Sequence, residues 1–425
     1  MYQKSELKNG IKVVSQGFKD RESVAVGIWV NTGGRHEDER IKGAAHFFEH
    51  MAFKGSRKYS CTEIKEKIEG VGGALNAFTA EEQTCFFAKV PKKHFSQTFD
   101  ILADIVFFPI LNKKDLEKER TVILEEIKMY HDLPQFRVVE LVDGLLWPDH
   151  PLGKNLAGTS ESVGNMSVDD LRKFHGRYYV PDNIVVSVCG GIDHQDIKKI
   201  VENKLLKVKG AQDNKCVPAQ NQQLKPKVAF MRKDIEQMHV ALGALGLNTN
   251  HQDLYALGLL NIILGGNMSS RLFNEVREKR GLAYAISSGI KALDDTGLVM
   301  IRAGVDNTKI LGAVEVILKE LARIRKNGVS DDELKRAKDY FIGQFQLGLE
   351  DTLDHMLWIG ETVISRDRVN APADVVREIR EVKSARITRI AREIFDPKRL
   401  NLAVVGPLTD SQEKDLRKQM KCFGC

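Results

Sequence analysis

Residues 46–50 read HFFEH, inside the longer stretch IKGAAHFFEHMAFKGS. On a helix His46 and His50 stand one turn apart, at i and i+4, and point the same way, so their imidazoles can share one cation. Glu49 lies beside such an ion without having to touch it. The order H-x-x-E-H mirrors the zinc-binding H-E-x-x-H, which points to zinc. Catalytic zinc takes three protein ligands and keeps a fourth position open, so a third ligand must come from elsewhere.

The segment EKERTVILEEIKMY at 117–130 combines many carboxylates with an apolar stripe at helical period: Val122, Ile123, Ile127 and Tyr130. Glu126 falls on that stripe, four residues after Val122 and four before Tyr130, and Glu119 lies two turns earlier on the same side. Glu125 turns outward with Thr121 and Lys128. A carboxylate directed into a core is costly unless it is paired or bound to a cation. Glu126 is therefore predicted as the third ligand, with Glu119 as the neighbour that supports the ligand set.

The elements that must position these residues come in two copies. SVAVGIWVNT resembles HVALGALGLNT, with Gly27 and Gly243 216 residues apart; YYVPDNIVVSVCG and EIFDPKRLNLAVVG repeat the same spacing at Pro181 and Pro397 and at Gly190 and Gly406. Two separate anchors with one offset, about half of 425 residues, imply a duplication that accounts for the whole chain. Between the copies, KVKGAQDNKCVPAQNQQLKP is polar, contains Gly and Pro, and lacks either period. The predicted organisation is a metal-binding domain over 1–210, a linker over 211–226, and a homologous domain over 227–425. In the first copy strands are predicted at 11–16, 22–30, 74–79, 83–90 and 183–189, and helices at 43–54, 60–70, 92–107, 113–131 and 167–178. The fold class is α+β: in each half, one mixed sheet covered by helices on one face.

With 42% hydrophobic and 29% charged residues and only 11 prolines, the composition is that of a folded globular protein. The net charge of +6 is spread along the chain without a basic block, which argues against nucleic acid as a partner. No run approaches the roughly 20 apolar residues that span a bilayer, so no membrane partner is expected. The start, MYQKSELKNGIKVVSQ, offers neither an apolar signal core nor an Arg-rich transit stretch. The expectation is a cytoplasmic protein; the alternative is an organellar matrix or periplasmic form whose targeting segment has been removed. Cys85 and Cys189, in apolar strand-like runs, suit reduced core thiols, and the terminal CFGC has no second pair to complete a metal site. His94, His131, His150, His175, His194, His239 and His251 have no partner at ligand spacing and read as surface or structural residues.

HFFEHMAFKGS, GGALNAFTAEEQTCFFAKV and EKERTVILEEI together resemble the pitrilysin-type (insulysin) inverzincin metallopeptidases. Within them the likeness is to the β subunit of the mitochondrial processing peptidase and its single-chain bacterial relatives, and it runs from about residue 5 to about residue 405. The resemblance implies zinc held by His46, His50 and Glu126, the last 76 residues after His50 as in the family. It places the general base on Glu49 and the supporting acid on Glu119. It further implies two halves closing like a clam around a central chamber in which unfolded peptide, the expected partner, binds as an added strand. Asn76 and Ala77 match the positions that hold substrate backbone, and Arg277 and Tyr284, in VREKRGLAY, match a pair that reaches the substrate from the opposite wall. As residues alone, Asn76 also reads as a strand residue near a turn, Arg277 as a surface charge and Tyr284 as a core aromatic. The chain departs from the noncatalytic processing-peptidase subunit in having only LGGNMSSRLF where that subunit has a long glycine-rich loop, so specificity for basic presequences is not implied.

The implied function is zinc-dependent metalloendopeptidase. Its rivals are a noncatalytic scaffold subunit and an enzyme that works only with a sister subunit. Because the zinc set and the Arg277/Tyr284 pair share one chain, a homodimer is expected, a heterodimer remaining open. Shifting His46, Glu49, His50 and Glu126 by the repeat spacing lands on Ile262, Gly265, Gly266 and Ile342, none of which binds metal. One zinc per chain is therefore expected; elemental analysis of the purified protein finding two equivalents, or none, would contradict the assignment.

Overall fold

The structure, a computed structural model, describes residues 2–210, 216–220 and 222–423. Of the predicted linker, residues 211–215 and 221 lie outside the described residues, as do Gly424 and Cys425 of the terminal CFGC. The fold is α+β. Strands β1 (Gln3–Glu6), β2 (Lys12–Gly17), β3 (Ser23–Val30), β4 (Ala74–Thr79), β5 (Thr84–Pro91) and β6 (Ile184–Gly190) form a mixed sheet in the order β1-β2-β6-β3-β5-β4. Strands β7 (Val228–Arg232), β8 (Gln237–Leu245), β9 (Ala283–Ala292), β10 (Gly297–Asp306) and β11 (Asn401–Gly406) form a second in the order β7-β11-β8-β10-β9. In each, one parallel pair, β2 with β6 and β7 with β11, is followed by antiparallel neighbours.

The helices of the first half are α1 (Ala44–Ala52), α2 (Cys61–Glu69), α3 (Phe95–Phe107), α4 (Lys113–Asp132), α5 (Pro134–Leu146), α6 (Ser160–Asn165), α7 (Val168–Tyr178) and α8 (His194–Leu205). Those of the second are α9 (Leu254–Leu264), α10 (Ile310–Asn327), α11 (Asp331–Gly348), α12 (Thr352–Arg366), α13 (Pro372–Glu381), α14 (Ser384–Ile394) and α15 (Asp410–Cys422). The repeat spacing of 216 residues recurs in the elements: α7 and α14 keep it at both ends, as do the single 3₁₀ turns Pro181–Asn183 and Pro397–Arg399.

The chain packs as two compact units. The first comprises Met1–Ile127, Asn155–Val217 and Phe345–Ala371; the second Lys128–Lys154, Pro218–Gln344 and Pro372–Cys425. In the first, β3 and β6 are near-continuous apolar runs, SVAVGIWV and IVVSVCG, buried along almost their whole length. Successive side chains of a strand point to opposite faces, so such strands need cover on both. Val24, Val26, Ile28 and Val30 of β3 join the main core with α1, α3 and α8. Ala25 and Trp29 face the other way and meet Met356, Ile359 and Val363 of α12. The expectation of helices on one face only is thus corrected: the second face is covered by a helix from the other end of the chain. In the second unit, α5 of the first half packs on β8 and β11 through Val138, Val142 and Leu146. Cys85 in β5 and Cys189 in β6 are buried and unbridged, as their apolar surroundings predict. Among the described residues no helix is long and apolar enough to cross a membrane.

The contact of α12 with its sheet is close enough to test. Trp29 Nε1 donates to Ser187 Oγ at 2.8 Å, and a Cβ on Gly360 would lie 2.1 Å from that nitrogen and 2.7 Å from the hydroxyl. Alanine in place of a helical glycine is worth about 1 kcal/mol in propensity, whereas forcing a methyl into a packed core costs about 1–3 kcal/mol. The rigid, buried indole decides between them, so Gly360→Ala is expected to lower the urea midpoint; a raised midpoint would show that α12 does not dock there.

Candidate metal centre

The helix that carries HFFEH is sorted into two faces by its own sequence. Ala44, Ala45, Phe47, Phe48, Met51 and Ala52 are buried, and the half-buried His46, Glu49 and His50 lie together on the remaining face. Apolar contact on one side, including Phe48 stacked on His175 at 4.9 Å between ring centroids, leaves the polar side no freedom to rotate inward.

Helix α4 faces that side. Its buried residues are Leu116, Glu119 and Ile123, continued by half-buried Glu126, Ile127 and Tyr130. Val122, read from the sequence as part of the stripe, is instead 49% exposed. The true stripe runs at spacings of three and four from Leu116, and it passes through both glutamates. Glu125, Thr121 and Lys128 are exposed, as the period predicts.

One oxygen of Glu126, Oε2, stands 3.7 Å from His46 Nε2 and 3.7 Å from His50 Nε2, and the two imidazole centroids are 4.7 Å apart. A separation of 3.7 Å is too long for a hydrogen bond. Ligand bonds of ~2.0–2.1 Å at tetrahedral angles put donor atoms about 3.4 Å apart, close to what is found. The donor set, two imidazole nitrogens and one carboxylate, is one that zinc accepts with a position left open. Among the described residues His46, His50 and Glu126 are the one group of three such side chains with all donor atoms within 4.8 Å of one another.

Electrostatics agree with that geometry. Burial, helped by the neighbouring His50, lowers the His46 pKa to about 4, so this imidazole is the neutral base a metal ligand must be. Burial also raises the Glu49 carboxyl above the usual carboxylate range; a hydrogen bond from Thr79 and the charge of His50 oppose the rise, and Glu126 adds to it. Thr79 Oγ1 donates to Glu49 Oε2 at 2.5 Å. Glu119 Oε2 lies 3.2 Å from His50 Nδ1, while its Oε1 pairs with Lys54 Nζ at 2.5 Å. Glu119 thus holds the second nitrogen of a candidate ligand imidazole, the usual way a ring's tautomer and direction are set.

Sequence reading missed Thr79 and Lys54. Thr79 ends the strand that contains Asn76, and Lys54 follows the motif by one turn, but neither has a spacing that announces a partner. Asn76 and Ala77 lie on β4, the edge strand of the first sheet, paired only with β5. Asn76 is exposed and its Oδ1 accepts from Ala77 N at 2.9 Å, whereas Ala77 packs partly on the core. Arg277 and Tyr284 belong to the second unit, Arg277 in the π-helical turn Phe273–Glu278 and Tyr284 in β9. The Arg277 guanidinium lies 4.7 Å from the Phe273 ring centre and 6.0 Å from that of Tyr284. Tyr284 is 76% exposed, so it is not a core aromatic.

Known proteins resemble this chain along almost its whole length. Residues 12–160 match the family model described as Insulinase (Peptidase family M16), and residues 165–341 match that described as Peptidase M16 inactive domain. A Bacillus subtilis protein named uncharacterized zinc protease YmxG is 35% identical over 96% of this chain and 98% of its own length. An uncharacterized zinc protease of Streptomyces coelicolor is 34% identical over 97% of this chain and 91% of its own. The fold is shared with the crystal structure of a protease from Helicobacter pylori, at a TM-score of 0.91 and 24% identity over 96% of this chain and 99% of that one. It is shared too with a peptidase M16 inactive domain from Pseudomonas fluorescens, at a TM-score of 0.90 and 20% identity over 96% and 98%. Two family models in succession, and relatives at a third identity along nearly the whole length, establish that the chain belongs to peptidase family M16, the insulinase family.

Proposed function

We propose that the chain is a zinc-dependent metalloendopeptidase that hydrolyses extended or unfolded peptides inside a chamber closed by its two halves. The observation that carries the reading is the single carboxylate oxygen of Glu126 set 3.7 Å from two imidazole nitrogens, with Glu49 on the same helix face as both. The relatives named zinc proteases support it. So does the description of the second matching domain as inactive, since at the repeat spacing Ile262, Gly265, Gly266 and Ile342, none of them a metal ligand or base, fall where the first half has His46, Glu49, His50 and Glu126.

His46, His50 and Glu126 would hold the zinc, which when bound would supply a water of pKa near about 7 and a Lewis acid for the scissile carbonyl. Glu49 is the base for that proton. Its Oε2 is engaged by Thr79, which leaves Oε1 to accept, and the burial that raises its pKa fits it to return the proton to the leaving amine. Glu119 keeps His50 directed at its ligand position. The free edge of β4 offers backbone groups to a peptide in extended form, with Asn76 and Ala77 as the positions that take it, so conformation is read more than side chains. Arg277 and Tyr284, with the guanidinium 6.0 Å from the tyrosine ring centre and the tyrosine exposed, are proposed to reach the substrate from the second unit and to stabilise the oxyanion.

Cleavage of a quenched fluorescent peptide tests this. Glu49→Gln is expected to lower kcat/KM by about 10²–10⁴-fold while the chain still carries one zinc, and chelation of the wild type is expected to stop cleavage until zinc is restored. A Glu49→Gln protein as fast as wild type would remove the base assignment. Wild type that holds zinc and cleaves nothing would favour the noncatalytic subunit.

A further inference from the structure

The two ligand imidazoles are not anchored alike. His50 is held through its second nitrogen by Glu119, whereas His46 Nδ1 is buried with no hydrogen-bond partner among the described residues. The aim of His46 therefore depends on the backbone of the first turn of α1, in which it is the third residue.

That turn lacks a cap of its own. The N-cap is Gly43, at φ +94°, which has no side chain to offer, although the first N–H groups of a helix have no partner within it. The acceptors come from six residues upstream. Glu37 Oε2 accepts from Gly43 N at 2.9 Å and Oε1 from Ala45 N at 2.7 Å. Lys42 Nζ lies 3.2 Å from the same Oε2 and donates to Gly34 O at 2.7 Å, so the charge is balanced locally. The Glu37 side chain has no exposed surface. From the other side, a Cβ on Gly43 would stand 2.6 Å from Ala157 O, and Ser162 Oγ donates to Lys42 O at 2.7 Å. One carboxylate that bonds the N–H groups of both Gly43 and Ala45 fixes the rotation of the turn as well as its place, and its charge suits a helix N-terminus.

We propose that Glu37 is a positioning residue of the metal centre, whose carboxylate locks the first turn of α1 and so directs His46 Nε2 at the ligand position. The inference rests on the reading of His46, His50 and Glu126 as metal ligands. Glutamine at 37 keeps the volume but turns an NH₂ group toward an N–H or the Lys42 ammonium. Aspartate keeps the charge but is a methylene too short to reach both N–H groups.

The test uses the full-length wild type, Glu37→Gln, Glu37→Asp and, as a control for lost stability, Ile197→Ala. Ile197 is fully buried in α8, which packs on β2, far across the sheet from β4. Zinc affinity is measured by competition with a chromophoric chelator well below the unfolding temperature, and ligand geometry by the visible absorption of the cobalt-substituted proteins. Glu37→Gln is expected to bind zinc about 10–100-fold more weakly with an altered cobalt spectrum, and Glu37→Asp to fall between it and wild type. Ile197→Ala is expected to melt earlier with affinity and spectrum unchanged. If Glu37→Gln does not fold, Glu37→Asp decides by the same two readings. Wild-type affinity and spectrum in the Glu37 variants, or an equal loss in Ile197→Ala, overturns the positioning role while the metal assignment stands. Wild type that takes up no zinc overturns that assignment and this inference with it.

Discussion

A carboxylate oxygen at the same non-bonding distance from two imidazole nitrogens is an arrangement that a shared ion accounts for better than direct contact does. Holding it requires three donors on two helices to be kept close in a half-buried setting, where each carboxylate must find a partner or carry a penalty. The surroundings of α1 answer that demand one group at a time: Glu119 takes His50 and Lys54, Glu49 takes Thr79, and Glu37 takes the helix N-terminus and Lys42. The short helix therefore sits in a set of acidic side chains, each with a defined task.

The duplication shows which part of this belongs to the fold and which to the chemistry. Apart from the extra edge strand β1 of the first, both sheets keep the same strand order around one parallel pair, and α7 and α14 or the turns at Pro181 and Pro397 keep the same spacing. At the repeat spacing, isoleucine and glycine fall where the first copy has its donors, and the second copy folds all the same. A sheet with helices thus does not need the three-donor group to form, and the candidate donors are an addition carried by one helix pair. Each unit also takes a helix from the other half of the sequence, α12 in the first and α5 in the second.

Much of this was legible from local pattern. The period of α1 and α4 brought His46, Glu49 and His50 to one face and Glu126 and Glu119 to another, because side-chain direction along a helix follows from 3.6 residues per turn. Val122 shows the limit: with apolar residues at 122 and 123 the pattern left the stripe uncertain by one position, and only packing chose Ile123. The helix on the far face of the first sheet was not legible, since the amphipathic pattern of α12 states that a face must be covered, not which strands will cover it.

The amino-acid order alone determined the donors, their grouping on two helices, the repeat and the strands, all of which depend on neighbours a few residues apart. Tertiary structure decided that Thr79 meets Glu49, that Lys54 balances Glu119, and that α12 closes the sheet of the first half. It also decided that Glu37 caps α1 from a loop, where no helical or strand period signals a partner. The physical reason is that a helix or strand repeats its own geometry, so spacing predicts which side chains share a face, whereas contacts between separate elements are selected by the packing of the whole core.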